Sequence, residues 1–343
     1  MIELLNTLYV TTQGAYLRLD HDTVKVEVEG EKRLQMPLQH VGRIVVFGNV
    51  GLSPFLMHRA GEEGRLIAML SEHGRFKCCV TGPTSGNVLL RHAQHKAAMD
   101  PAKALEIARG FIAGKIENSR RSVLRAAREA DGAESEAKLR AAALALAESL
   151  RSLPNTATLD EARGVEGQAA HVYFGVFDDM IRVDDESFVF DVRQRRPPRN
   201  PVNALLSFLY ALVLVDCTAA VESIGLDPQV GFLHGLRPGK PAGALDLMEE
   251  FRALLADRVA FSLINRRQVT GKDFEERPGG AVRMSDDARK TLLIEYQRRK
   301  QEELTHPILD RRLPLGIAPH VQAQLLARHL RGDTEAYLPF TPK

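Results

Sequence analysis

At Gly82-Pro83-Thr84-Ser85-Gly86 the periodicity of apolar residues along the chain changes, and that switch limits the fold more than any other feature. Before it, the pattern has a period of two. Val24, Val26 and Val28 alternate with Lys25, Glu27 and Glu29, as in a strand with one face buried. Residues 15–19 read as its hairpin partner, and residues 43–47 and 65–70 are β-rich runs bounded by glycines. The turn Ser71-Glu72-His73-Gly74 pairs residues 75–80 with the strand before it. Ser53 followed by Pro54 is an N-cap and first helical residue, so one short helix interrupts the strands.

Beyond the switch the spacing is helical. Residues 105–127 carry apolar side chains at helical intervals, and 134–150 are rich in alanine, leucine and glutamate. Residues 165–180 form a further helix. Asn200-Pro201 opens a long one that runs to Ser223 and stops at Gly225, and residues 244–255 and 286–303 add two more. Residues 184–198 are polar and end in prolines, as in a loop or a short β excursion. The expected fold class is α+β: a small β-rich N-terminal domain, residues 1–86, followed by a larger all-α domain, residues 87–343. A chain of 343 residues is long enough to give each its own core.

Net charge is only +2, so the chain is no polycation and any nucleic-acid surface must be local. The three cysteines, Cys78, Cys79 and Cys217, lack zinc-ligand spacing and suit a reducing cytoplasm. The first residues lack the basic start and apolar centre of a leader. The most apolar run, 205–215, is short of the ~20 residues that cross a membrane, so no membrane role is expected.

Three residues carry the chemistry: Glu166 in a Gly-Val-Glu-Gly run, His234 after Gly231-Phe232-Leu233, and Glu249 in the helix that follows. Two carboxylates and one imidazole suit a hard divalent cation, Mn²⁺ or Mg²⁺, better than a structural zinc. Each has an ordinary explanation as well. Glu166 at a helix start favours the macrodipole, His234 beside apolar residues suits a core, and Glu249 suits an acidic surface helix. Asp246 shares a helical face with Glu249 at i and i+3. The loop Gly235-Leu236-Arg237-Pro238-Gly239-Lys240 imitates a P-loop but is one residue short, and Pro241 replaces the magnesium-binding hydroxyl. His92 and His95 sit three apart among basic neighbours with no carboxylate close in sequence.

Basic residues cluster at Lys115 to Arg128, at Arg193, Arg195, Arg196 and Arg199, and at Arg283 to Lys300. Such runs are either solvated faces or grips for phosphate. The 193–199 cluster is held by prolines just before the long apolar helix. With no tryptophan and few aromatic residues near these clusters, contact with the nucleic-acid backbone is expected rather than base stacking.

The run from Arg196-Pro197-Pro198-Arg199-Asn200-Pro201-Val202-Asn203 to Tyr210, with Gly225-Leu226-Asp227-Pro228-Gln229-Val230-Gly231-Phe232-Leu233-His234 and Leu245-Asp246-Leu247-Met248-Glu249, resembles the universal CRISPR adaptation integrase. The resemblance covers nearly the whole chain and is nearest the form found with type I-C systems. It implies that Glu166, His234 and Glu249 are metal ligands and catalytic residues. Asp246 would support the site, and Arg252 would touch substrate phosphate. Asn203 and Tyr210 match the family pattern as supporting or packing residues. Many relatives carry aspartate where this chain has Glu249, which alters reach more than chemistry. The implied reaction joins the 3′-hydroxyl of a new spacer fragment to a phosphate of the CRISPR array. Implied partners are double-stranded DNA (protospacer and repeat), a second copy of the chain through the N-terminal domain, and a small ferredoxin-like CRISPR-associated subunit. An iron–sulfur CRISPR-associated nuclease is the further one. The alternatives are a stand-alone metal-dependent nuclease acting on branched or single-stranded DNA in repair, and a nucleic-acid scaffold with no working metal site.

Overall fold

The structure, a computed structural model, describes residues 6–83, 88–194 and 197–342. It divides into two compact units, Met1–Gly86 and Asn87–Lys343. The first holds β1 (Asn6–Val10), β2 (Tyr16–Asp20), β3 (Thr23–Val28), β4 (Glu31–Pro37), β5 (Val41–Phe47), β6 (Gly51–Leu52), α1 (Pro54–Glu62), β7 (Leu66–Leu70) and β8 (Phe76–Val80). One four-stranded sheet runs β4-β3-β2-β6 and the other β1-β5-β7-β8. The expected hairpin pairs Leu17 with Val26 and Leu19 with Val24, and β8 runs antiparallel to β7. Alternation aims Leu17, Val24, Val26, Ile44, Val46 and Ile67 into one core, closed by Leu56 of α1. The Ser53 hydroxyl accepts from Leu56 N, which starts α1 where the sequence places it.

The second unit is mostly helical: α2 (Val88–Met99), α3 (Pro101–Arg128), α4 (Ala133–Ser152), α5 (Leu159–Gly175), α6 (Pro201–Ile224), α7 (Ala242–Glu249) and α8 (Arg258–Asn265). A π-helical turn, Arg252–Asp257, lies between α7 and α8. A hairpin of β9 (Phe274–Arg277) and β10 (Ala281–Met284) follows, then α9 (Asp286–Gln301). A second hairpin joins β11 (Glu303–His306) to β12 (Arg311–Pro314), and α10 (Ala318–Leu330) comes last. At the start of α6 the Asn200 side chain accepts from Asn203 N at 2.7 Å, with Pro201 as the first helical residue. At its end Gly225 takes φ +87°, a left-handed cap that a side chain would strain.

The architecture is α+β as expected, with three departures. The helical unit carries two β-hairpins, so it is not all-α. The helix bearing Glu166 begins at Leu159 and not at 165, because Thr158 Oγ1 accepts from Glu161 N while the Glu161 carboxylate turns back to Ala157 N. Glu166 is therefore two turns inside α5, beyond the reach of the macrodipole explanation. The apolar run around 205–215 belongs to a 24-residue helix, α6, that is long and apolar enough to cross a membrane. It is instead the core helix of its unit: Val202, Leu205, Leu206, Leu209 and Val213 are buried under neighbouring helices.

Candidate metal centre

Four elements meet around Glu249, the last residue of α7. Its carboxylate is buried, with 4 % of its side chain exposed. Oε1 pairs with Arg252 Nη2 at 2.8 Å, and Oε2 lies 2.9 Å from Lys115 Nζ of α3. The same ammonium pairs with Glu166 Oε1 of α5. Burial opposes ionisation of Glu249, but Arg252, Lys115 and His234 outweigh it and hold the carboxyl at about 2. Glu249 Oε2 makes no aligned hydrogen bond, so its contact with Lys115 is one of charge.

His234 lies in the loop before α7, and Asp246 sets its position. One carboxylate oxygen of Asp246 accepts from Phe232 N at 2.5 Å and Leu233 N at 2.9 Å. The other accepts from His234 N at 2.9 Å and the ring Nδ1 at 2.7 Å. In the neutral ring the proton sits on Nδ1, because a carboxylate can only accept. The lone pair then falls on Nε2, 3.8 Å from Glu249 Oε1. Arg163 of α5 adds two bonds, at 2.9 and 2.7 Å, to the Leu233 carbonyl. Gln94 of α2 grips the start of the loop at Asp227 N, Asp227 O and Val230 O. The loop also lies close to α7: a Cβ on Gly231 would sit 2.7 Å from the Ala242 carbonyl carbon and 2.8 Å from Asp246 Oδ2.

Behind the carboxylates, Arg252 stacks over the Tyr210 ring at 5.0 Å. Asp257 accepts from Tyr210 OH at 2.8 Å and Tyr173 OH at 3.0 Å. Burial pushes its carboxyl up to about 6, against those bonds and the nearby arginines. The π turn sets Arg252 beside Glu249 and Asp257 beneath the two tyrosines. Glu250, facing away, is pushed up to about 8 by burial, against bonds from Tyr337, Phe340 N and Gln322.

The donors suit a hard divalent cation in kind: two carboxylates and an imidazole nitrogen whose far side is fixed by an acid. Lys115 shows that a positive charge is accepted between Glu166 and Glu249. Among the described residues no three His, Cys, Asp or Glu side chains close on one point, because Glu166 and Glu249 meet across the Lys115 ammonium. A cavity of about 210 Å³ opens beside them, lined by Lys115, Glu166, Tyr173, Tyr210, Arg252 and Asp257. A larger groove, about 460 Å³, passes Ser152, Thr156, Gly164 and Gln168 and brings no basic side chain with it.

The basic residues are placed unevenly. Arg195 and Arg196 lie outside the described residues. Arg199 is exposed, whereas Arg252 is committed to Glu249 and the Tyr210 ring inside the fold. In the late cluster Arg289 and Lys300 are buried, and Lys300 is paired with Asp216 at 3.0 Å. Asn203 braces the segment before α6, its side chain joining Arg193, Gln194 N and the Val192 carbonyl. Sequence reasoning treated Lys115 as one of a basic run and passed over Arg163, Tyr173 and Asp257. Lys115 did leave a signal, since it is four residues from both buried Phe111 and buried Ser119, on the inward stripe of α3.

A family profile for "CRISPR associated protein Cas1" matches residues 8–298. The chain is 57% identical to a CRISPR-associated endonuclease Cas1 of Moorella thermoacetica over 98% of both chains. It is 50% identical to another of Rhodospirillum rubrum over 99% of both. A Cas4 exonuclease/Cas1 endonuclease fusion of Geobacter sulfurreducens is 35% identical over 98% of this chain and 60% of the fusion. Among solved structures, a CAS1 protein from Thermotoga maritima aligns with TM-score 0.82 at 22% identity, covering 96% of this chain and 97% of that one. A casposase bound to integration product aligns with TM-score 0.83 at 22% identity, covering 98% and 93%. At such identity these two structures establish the shared fold, while the profile and the curated relatives establish kinship: the chain belongs to the Cas1 family of CRISPR-associated endonucleases.

Proposed function

We propose that Glu166, His234 and Glu249 bind one divalent cation, Mn²⁺ or Mg²⁺. At that site the 3′-hydroxyl of a spacer fragment attacks a phosphate of the CRISPR array, a new phosphodiester forms as the array strand's own P–O3′ bond breaks, and that 3′-oxygen leaves as a hydroxyl, taking up the proton the attacking hydroxyl gives up. The observation that carries this reading is the pairing of His234 with the Asp246 carboxylate while the Glu166 and Glu249 carboxylates share one positive charge. A bound divalent ion supplies charge withdrawal at the phosphate and a lowered pKa for the attacking hydroxyl. The chain's own residues set the stage. Asp246 fixes the imidazole so that Nε2 stays an acceptor, and Arg252 keeps Glu249 ionised and in place. Arg199, exposed just before α6, would hold DNA backbone, with Arg195 and Arg196, which adjoin it in sequence.

Partners follow by kinship. The fusion with a Cas4 exonuclease in a relative supports a Cas4-type exonuclease as a companion of this chain, which we infer to be the iron–sulfur nuclease. We also infer a homodimer formed through residues 1–86, a small ferredoxin-like adaptation subunit, cytoplasmic work on double-stranded DNA, and membership of a type I-C system.

The test is strand transfer of a 3′-hydroxyl fragment into supercoiled repeat DNA, with the partner subunit present. Glu166→Ala, His234→Ala and Glu249→Ala are each expected to lower the rate by at least about 100-fold while the fold survives. Variants that keep full activity would remove these residues from the chemistry. Cutting without joining would favour the stand-alone nuclease.

A further inference from the structure

Two carboxylates that share one site repel each other, and the repulsion grows as the site is buried. Glu249 is buried, and Glu166 faces it across Lys115. Both ion pairs of Lys115 go to these two acids. Among the described residues it is the one basic side chain that bridges two of the proposed ligands, and it reaches them from α3, an element that supplies no ligand. Arg252 also pairs with Glu249, but its guanidinium is fixed by stacking on Tyr210. A lysine is different in kind: a compact charge on a flexible four-carbon stem. Beside it lies the 210 Å³ cavity whose wall it shares with Glu166, Tyr210 and Arg252.

We propose that Lys115 is a built-in counter-cation. It bridges Glu166 and Glu249 until a divalent ion takes its place, and then turns into the adjoining cavity to meet a DNA phosphate. This rests on the reading of Glu166 and Glu249 as metal ligands. It makes metal loading and substrate binding one exchange, because the incoming ion releases a cation at the spot where the phosphate arrives. It also explains how the metal-free protein tolerates two acids at one site.

The experiment uses the full chain and three readouts: Mn²⁺ affinity by calorimetry, melting temperature in chelator, and affinity for a 3′-overhang duplex with or without Ca²⁺. Lys115→Met removes the competitor, so Mn²⁺ should bind about tenfold tighter. The metal-free variant should melt several degrees lower, and Mn²⁺ should restore most of the loss. With Ca²⁺ present its DNA affinity should drop several-fold, while without metal it should match the wild type. Lys115→Arg, which keeps the charge, should melt like the wild type, and it serves if the methionine variant does not fold without metal, since it should then fail to bind Mn²⁺ more tightly. Glu249→Gln separates the two readings. If that variant loses Mn²⁺ binding while Lys115→Met binds no tighter than the wild type, the counter-cation is overturned and the ligand set stands. If Glu249→Gln binds Mn²⁺ like the wild type, the ligand set itself fails. Unchanged DNA affinity of Lys115→Met in Ca²⁺ would overturn the phosphate contact.

Discussion

Asp257 shows how one buried acid tunes its surroundings at the scale of a single residue. Its two oxygens take the Tyr210 and Tyr173 hydroxyls, and Arg252 and Arg193 add favourable charge, yet burial wins and the carboxyl titrates at about 6 against an ordinary 3.8. The sign of the pH effect follows. Below the lower value both folded and unfolded chains hold the proton, and the contribution to stability is complete. Between the two values only the unfolded chain releases it, so stability is lost as pH rises through about 6 and changes no further above that. The loss amounts to roughly 1–3 kcal/mol by linkage. Asp257→Asn keeps the shape, with the amide donating to one tyrosine oxygen and accepting from the other, and it removes the titration. The melting difference, variant minus wild type, should therefore climb between about pH 4 and pH 6 and stay level above, in the linkage window just described. A difference that ignores pH would mean Asp257 stays charged in the fold.

At the scale of elements, the site depends on how closely the 230–234 loop lies against α7. Gly231 is the tight point. A Cβ there would meet the Ala242 carbonyl carbon at 2.7 Å, its Cβ at 2.8 Å and Asp246 Oδ2 at 2.8 Å, so backbone must move to admit it. Gly231→Ala is expected to cost about 2 kcal/mol of stability and to weaken Mn²⁺ binding at least tenfold, because Asp246 loses its hold on Phe232 N and Leu233 N. Gly164→Ala is the control: its Cβ meets nothing within 4 Å inside α5, so denaturant unfolding should show a gain of about 0.5–1 kcal/mol. Loss of metal binding in both variants would shift the explanation from the loop to helix packing in general. Elements with local signals were the legible ones. α6 announced itself through Asn200, Pro201 and Gly225, and α1 through Ser53 and Pro54, because a cap satisfies donors within four residues. The β9–β10 hairpin went unread even though Pro278-Gly279-Gly280 marks its turn. Half of its strand residues are exposed and charged, and no apolar alternation flags them. The start of α5 was expected at 165, but the cap at Thr158 sets it at Leu159, so Gly164 and Gly167 both lie inside the helix.

For the whole molecule, the candidate ligands were named from their motifs, but what makes them a site was not readable. Lys115, Arg163 and Asp257 act across 50 to 90 residues of sequence, and no local pattern reports which helix faces which. Every one of these groups nonetheless falls in residues 87–343. So do Gln94, which pins the loop, and Phe340, whose backbone N–H reaches Glu250 next to the ligand. The apolar core of residues 1–86 is likewise built from its own segments, chiefly the strands and α1, Leu8 through Ile67. Each unit is compact in itself, so hydrophobic burial, the largest favourable contribution to folding, acts within each. Residues 87–343 expressed alone should thus remain helical by circular dichroism and bind Mn²⁺ with a Kd within about threefold of the full chain, a difference under about 0.7 kcal/mol. If residues 1–86 provide the dimer contact, as we propose, the fragment should sediment as a monomer where the full chain sediments as a dimer. A monomeric fragment that binds Mn²⁺ normally would divide the labour between the two units. A folded fragment that cannot bind the ion would show that the site needs the first unit after all, and the ligand set drawn from residues 166, 234 and 249 would be incomplete.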